Sequence, residues 1–87
     1  MIEIRLTDRA AGGPLYAQVR AQIEDGIREG RIAAGELLPS PAALAQKLSM
    51  DRGEVQRAYF ELEQSGLVSK SVGKDFLGKE KVTYTVK

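Results

Sequence analysis

Two helix-start signals stand eleven positions apart, leaving room for only one very short helix between them. The first is Ser40-Pro41: a serine whose hydroxyl can accept from a free N–H of the first turn, then a proline where no N–H is needed. The second is Asp51 with Glu54 three residues on, an acidic form of the reciprocal cap. Between them Leu44, Ala45 and Leu48 supply a buried edge for a helix over 41–48, and Ser49-Met50 supplies a turn. Beyond Asp51, Val55, Tyr59 and Leu62 recur at helical spacing and Ala58 allows close packing. Gly66 ends the run, which predicts a helix over 52–65. A short helix, a tight turn and a longer helix make a helix-turn-helix.

The flanks complete an architecture. Ile2, Ile4 and Leu6 alternate with Glu3 and Arg5, which predicts a short N-terminal strand, and residues 7–13 read as a linker. Pro14 opens a helix whose stripe is Leu15, Val19, Ile23 and Ile27, with Tyr16 beside it and Gly30 at its end. Ile32 and Leu37 are expected to return to the core. Leu67 to Val72 and Val82 to Val86 predict a β-hairpin, with Gly73 and Gly78 in its loop. The expected fold is therefore mainly α with a small β-hairpin. It is a winged helix-turn-helix of three helices, a wing and a short N-terminal strand, in one domain over 1–87.

Composition narrows the chemistry. The 87 residues include no cysteine and no histidine, so disulfides, thiolate or imidazole metal sites and histidine-based triads are excluded. No nucleotide-binding glycine pattern occurs, so neither a cofactor nor a metal site nor enzymatic activity is expected. No apolar run approaches the ~20 residues of a membrane span, and the N-terminus lacks the order of a signal peptide. A cytoplasmic location is expected. The net charge of +1 is uninformative, but residues 66–87 hold five lysines and two acids, so the hairpin is the basic end.

Position assigns candidate roles. Arg52 stands in the first turn of the longer helix, where side chains reach base edges and an arginine can pair with guanine. Gln56, one turn on, can pair with adenine or remain a neutral surface group, while Arg57 flanks that face and suits a phosphate. Ser40 caps its helix and can also hold a phosphate there. Lys70, Lys74, Lys79 and Lys81 can meet phosphates or guard a strand edge against aggregation. Tyr16 and Tyr59 fall on apolar stripes and are expected in the core. Phe60 falls off its stripe, and Phe76-Leu77 forms an apolar pair in the hairpin loop. These three are candidate protein-contact residues.

Residues 14–68 resemble the DNA-binding domain of GntR-family transcriptional regulators. The matching marks include Pro14-Leu15-Tyr16, Gly30, Gly35, Leu38-Pro39-Ser40, Leu44-Ala45, Arg52, Val55, Ala58, Leu62 and Gly66-Leu67-Val68. The strand-like segment before Pro14 is most similar to the small YtrA-type branch. The resemblance implies double-stranded DNA as partner, a homodimer, and a base contact from Arg52, the one family arginine of three that is kept; position and charge add Ser40, Gly53, Gln56, Arg57, Lys70 and Lys74 as candidate DNA-contact residues. The chain departs from the family pattern at Ala42, Gly53, Glu54 and Gln56, and at Asp75 in the wing. Those departures motivate an alternative of another class, a winged-helix adaptor that contacts protein through Phe60, Phe76 and Leu77. A chain this short holds no small-molecule sensor, so any effector response is expected to lie outside it.

Overall fold

The computed structural model describes residues 2–87, with every side chain among them except that of Arg9. A helical turn, α1 (Arg9–Gly12), precedes α2 (Leu15–Arg28), α3 (Pro41–Leu48) and α4 (Arg52–Gln64). Strands β1 (Val68–Lys74) and β2 (Glu80–Val86) follow. They pair antiparallel from Val68 opposite Val86 to Lys74 opposite Glu80. The core forms where the apolar stripes converge. Val19 and Ile23 of α2, Leu44 of α3, and Val55, Tyr59 and Leu62 of α4 meet Val68, Tyr84 and Val86 at the base of the hairpin. The Tyr59 ring meets Tyr84 edge-on at 4.9 Å between centroids, and its hydroxyl donates to Pro39 O at 2.8 Å. The phenol thus enters the core without an orphaned polar atom.

Helices α2 and α4 end as the glycines Gly30 and Gly66 predict, both with positive φ. After α4, Gly66 takes φ +79°, its N–H donates to Glu63 O, and Leu67 N–H reaches back to Leu62 O. This Schellman closure satisfies carbonyls the helix leaves free. Helix α3 closes in the same way, through Ser49 N–H to Gln46 O and Met50 N–H to Ala45 O, but around a serine. Ser49, at φ 55° and ψ 45°, is the one non-glycine described residue with positive φ. A Cβ in that conformation costs roughly 1 kcal/mol. Ser49→Gly is expected to raise stability by about 0.5–1 kcal/mol, part of the gain being offset by the freer unfolded chain. A melting curve checks this, an increase of about 2–8 °C being the expected reading.

Four expectations require correction. No N-terminal strand forms: residues 2–8 have no regular secondary structure and pair with no strand. Their alternation is real, since Ile4 is buried and Ile2 and Leu6 pack against the core, yet the partner is helix α2. Two glutamines one turn apart provide the hydrogen bonds a neighbouring strand would have given. Gln22 accepts from Arg5 N–H and donates to Arg5 O, at 2.9 and 2.7 Å, and Gln18 does the same at Thr7, at 2.8 and 3.0 Å. Period-two patterning reports one buried side of an extended chain, and it is silent on what pairs with the backbone. The supposed linker also contains α1, capped by the Asp8 carboxylate on Ala11 N–H.

The other two corrections concern the sheet. Leu38 rather than Leu37 is buried, and Leu37 is 60% exposed. Residues 35–38 run extended along β2, through Gly35 N–H to Val86 O, Val86 N–H to Glu36 O and Leu38 N–H to Tyr84 O. Adjacent leucines in extended chain must face opposite ways. The hairpin is longer than expected, with Gly73 inside β1 opposite Lys81 and the loop confined to residues 75–79.

Gln18 is the buried polar residue of α2, and its amide also donates to Gly13 O at 2.9 Å. A Cβ on Gly12 would collide with Thr7 Oγ1 and crowd this amide, so the pairing depends on a glycine there. Gln18→Ala is expected to cost about 1–3 kcal/mol by leaving Thr7 and Gly13 groups unpaired. Urea unfolding should show the loss, and hydrogen exchange should quicken first at Thr7.

Candidate nucleic-acid interface

The turn between α3 and α4 is three residues, Ser49 to Asp51, and each helix start is capped as its sequence signals. Ser40 Oγ accepts from Ala43 N–H and an Asp51 carboxylate oxygen from Gly53 N–H, both at 3.1 Å. On α4 the inward side is Val55, Ala58, Tyr59 and Leu62. Spacing of four places Arg52, Gln56 and Phe60 in one exposed line away from that side. Gly53 lies in the same first turn, and a Cβ built on it would meet nothing nearer than Asp51 Oδ1 at 3.7 Å. Packing therefore does not require the glycine, and it leaves the helix start smooth.

The arginines divide sharply. Arg5, Arg20, Arg28, Arg31 and Arg57 each hold a carboxylate: Glu3, Glu24 and Glu61, Glu24, Glu29, and Glu61 respectively. Arg52 is the one arginine among the described side chains that holds none. Arg57 is further engaged, its guanidinium stacked 3.9 Å from the Tyr16 ring centre, so Tyr16 is half-buried beneath it rather than sealed in the core. The structure thus brings Arg52, Gly53 and Gln56 together on one outward surface and puts Ser40 at the start of the preceding helix. Arg57 is turned toward α2.

Lys70 and Lys74 stand on β1 opposite Tyr84 and Glu80, both exposed. At the wing tip sequence reasoning missed the organising residue. Asp75 accepts through its carboxylate from Leu77 N–H at 2.9 Å and Lys79 N–H at 3.0 Å. Its backbone N–H donates to Lys79 O, and its O accepts from Gly78 N–H, both at 2.9 Å. With Gly78 at φ +80°, this is the frame of a three-residue hairpin loop. An Asp three residues before a Gly is the turn signature that would have revealed it. Among the described residues no cluster of acids could hold a metal, and no helix is long and apolar enough to cross a membrane.

A capped short helix, a three-residue turn, a second helix with one unpaired arginine at its exposed start and a basic hairpin define a winged helix-turn-helix. The family model for bacterial regulatory proteins of the gntR family matches residues 15–76. The chain belongs to the GntR family. It is 43% identical over 61 residues to the HTH-type transcriptional regulator Rv1152 of Mycobacterium tuberculosis, covering 70% of this chain and 50% of that protein. It is 32% identical over 60 residues to the HTH-type transcriptional regulator GgaR of Escherichia coli, covering 69% of this chain and 24% of that one. Its fold is similar to YtrA from Sulfolobus acidocaldarius, a GntR-family transcription factor. The TM-score is 0.77 at 29% identity, covering 98% of this chain and 81% of that chain. The chain thus spans half or less of the length of these curated relatives.

Proposed function

We propose that this chain is the DNA-binding unit of a transcriptional regulator, acting by placing α4 in the major groove of duplex DNA. The observation that supports the reading is Arg52: exposed, in the first turn of α4, and without the carboxylate that every other arginine with a described side chain holds. From there it can donate two hydrogen bonds to a guanine, with Gln56 one turn on reading adenine. Gly53 has a purpose in this reading. A glycine inside a helix costs about 1 kcal/mol against alanine, and nothing in the packing requires it, but a bare helix start lets a DNA backbone approach closely. Ser40, Lys70 and Lys74 contribute phosphate contacts, whereas Arg57, held by Tyr16 and Glu61, braces α4 against α2.

The family and the regulator names of the relatives favour this reading over the adaptor. Binding rather than catalysis is then the whole activity, the compartment is the cytoplasm, and a dimer on two half-sites is the working form. The test is a titration against random duplexes at about 50 and 200 mM salt. For about four neutralised phosphates the affinity should fall about a hundredfold between the two. Binding that is absent, or indifferent to salt, would remove the proposal.

A further inference from the structure

The apex of the wing holds two large apolar side chains in open solvent, Phe76 at 95% exposure and Leu77 at 67%. Neither joins the core. The loop that presents them is nonetheless built: four hydrogen bonds through Asp75 fix the turn, and its carboxylate is drawn inward onto Leu77 and Lys79 N–H groups. Lys74 ends one limb opposite Glu80, Lys81 stands on the other opposite Gly73, and Lys79 closes the loop between them. None of the three is in an ion pair.

We propose that this apex is a wedge for the minor groove of duplex DNA, Phe76 entering between base steps while the lysines of the two limbs meet the two phosphate rows. The inference rests on the DNA-binding reading above and adds to its phosphate contacts the insertion of an apolar side chain between bases. A minor groove about 6 Å wide admits side chains reaching in from a hairpin tip, and phosphates line both of its edges, where Lys74 and Lys81 of the two limbs can meet them. Apolar side chains inserted between base steps unstack them and kink the duplex by about 20–90°. A protein partner fits less well. A stable interface buries about 800 Å² on each side, whereas a large aromatic side chain supplies only about 150–250 Å² and the tip offers just one beside a leucine.

The test uses the full chain on a duplex selected by it from a random pool, with bending read from circularly permuted fragments and unstacking from 2-aminopurine fluorescence. Wild type is expected to bend the duplex and brighten the probe at one step. Phe76→Ala should abolish both and weaken binding about tenfold with the salt slope unchanged. Lys74→Ala should keep the bend and flatten the slope by about one unit. Phe76→Leu, which keeps an apolar wedge, should retain most of the bend. An unchanged melting curve for Phe76→Ala is the folding control. Equal affinity and equal bending for wild type and Phe76→Ala would overturn the wedge while leaving major-groove binding intact. If Phe76→Ala keeps the DNA behaviour but loses binding to phosphatidylserine vesicles, the apex belongs to a membrane surface and the wedge is again overturned. A wild type that selects no duplex at all ends both this inference and the reading beneath it.

Discussion

Arg52→Ala is expected to lower affinity for a selected duplex by about 1–3 kcal/mol, roughly tenfold to a hundredfold, and to relax preference at one guanine. The reason is its isolation. A side chain with no internal partner loses nothing in the fold when removed, so its effect should appear in binding and not in stability. Arg57→Ala is the comparison. Its guanidinium stacks on Tyr16 and pairs with Glu61, so its loss should cost about 0.5–1 kcal/mol of folding stability and leave the sequence preference unchanged. Selection experiments on both variants, with melting curves beside them, separate the two roles. Indistinguishable base preferences for wild type and Arg52→Ala would argue against Arg52 as the reader.

Tyr59→Ala is expected to destabilise the domain by about 3–5 kcal/mol, because the ring is fully buried and fills the space between α3, α4 and the hairpin. For a domain of this size total stability is of order 4–13 kcal/mol, so much of the folded population is at stake. The hydroxyl adds a pH dependence. Burial pushes the Tyr59 phenol well above its usual value, and the neighbouring Tyr84 raises it further. The folded state therefore keeps a proton that the unfolded chain gives up above about pH 10. Stability from this group is complete below that pH and is lost as pH rises beyond it, at up to about 1.4 kcal/mol per unit. Tyr59→Phe should lose about 1 kcal/mol at pH 7, with its bond to Pro39 O, and show a shallower alkaline decline than wild type. Urea unfolding at pH 7 and pH 11 checks both signs.

Much of the fold was legible because it rests on local rules. The bounds of α3 follow from Ser40-Pro41 before it and Leu48 at its end, and the start of α4 follows from Asp51; the Ser40 cap is made as expected, and Asp51 caps α4 through Gly53 N–H. The end of α4 was legible in Gly66, whose positive φ a glycine adopts freely. Ser49 shows the limit of that rule, since the same closure was made there by a residue that carries no such signal. The candidate site was partly legible. Position alone marked Arg52 and Gln56, but that Arg57 turns toward Tyr16 depends on where α2 lies against α4, which no spacing within α4 encodes.

What the sequence determined by itself was the set of elements with strong local signals: α2, α3 and α4, the caps at Ser40 and Asp51, and the presence of the hairpin. What only the tertiary structure decided was which partner each extended or charged group would find. Ile2, Ile4 and Leu6 announced one buried side, and Gln18 and Gln22 on a helix took the place of a strand. Leu37 was expected in the core, but pairing with β2 turned it outward and Leu38 inward. Arg57 became distinct from Arg52 only when α2 brought the Tyr16 ring beneath it. The physical reason is common to all three. Backbone conformation is set by neighbours in the chain, whereas burial and contacts between elements are set by neighbours in space.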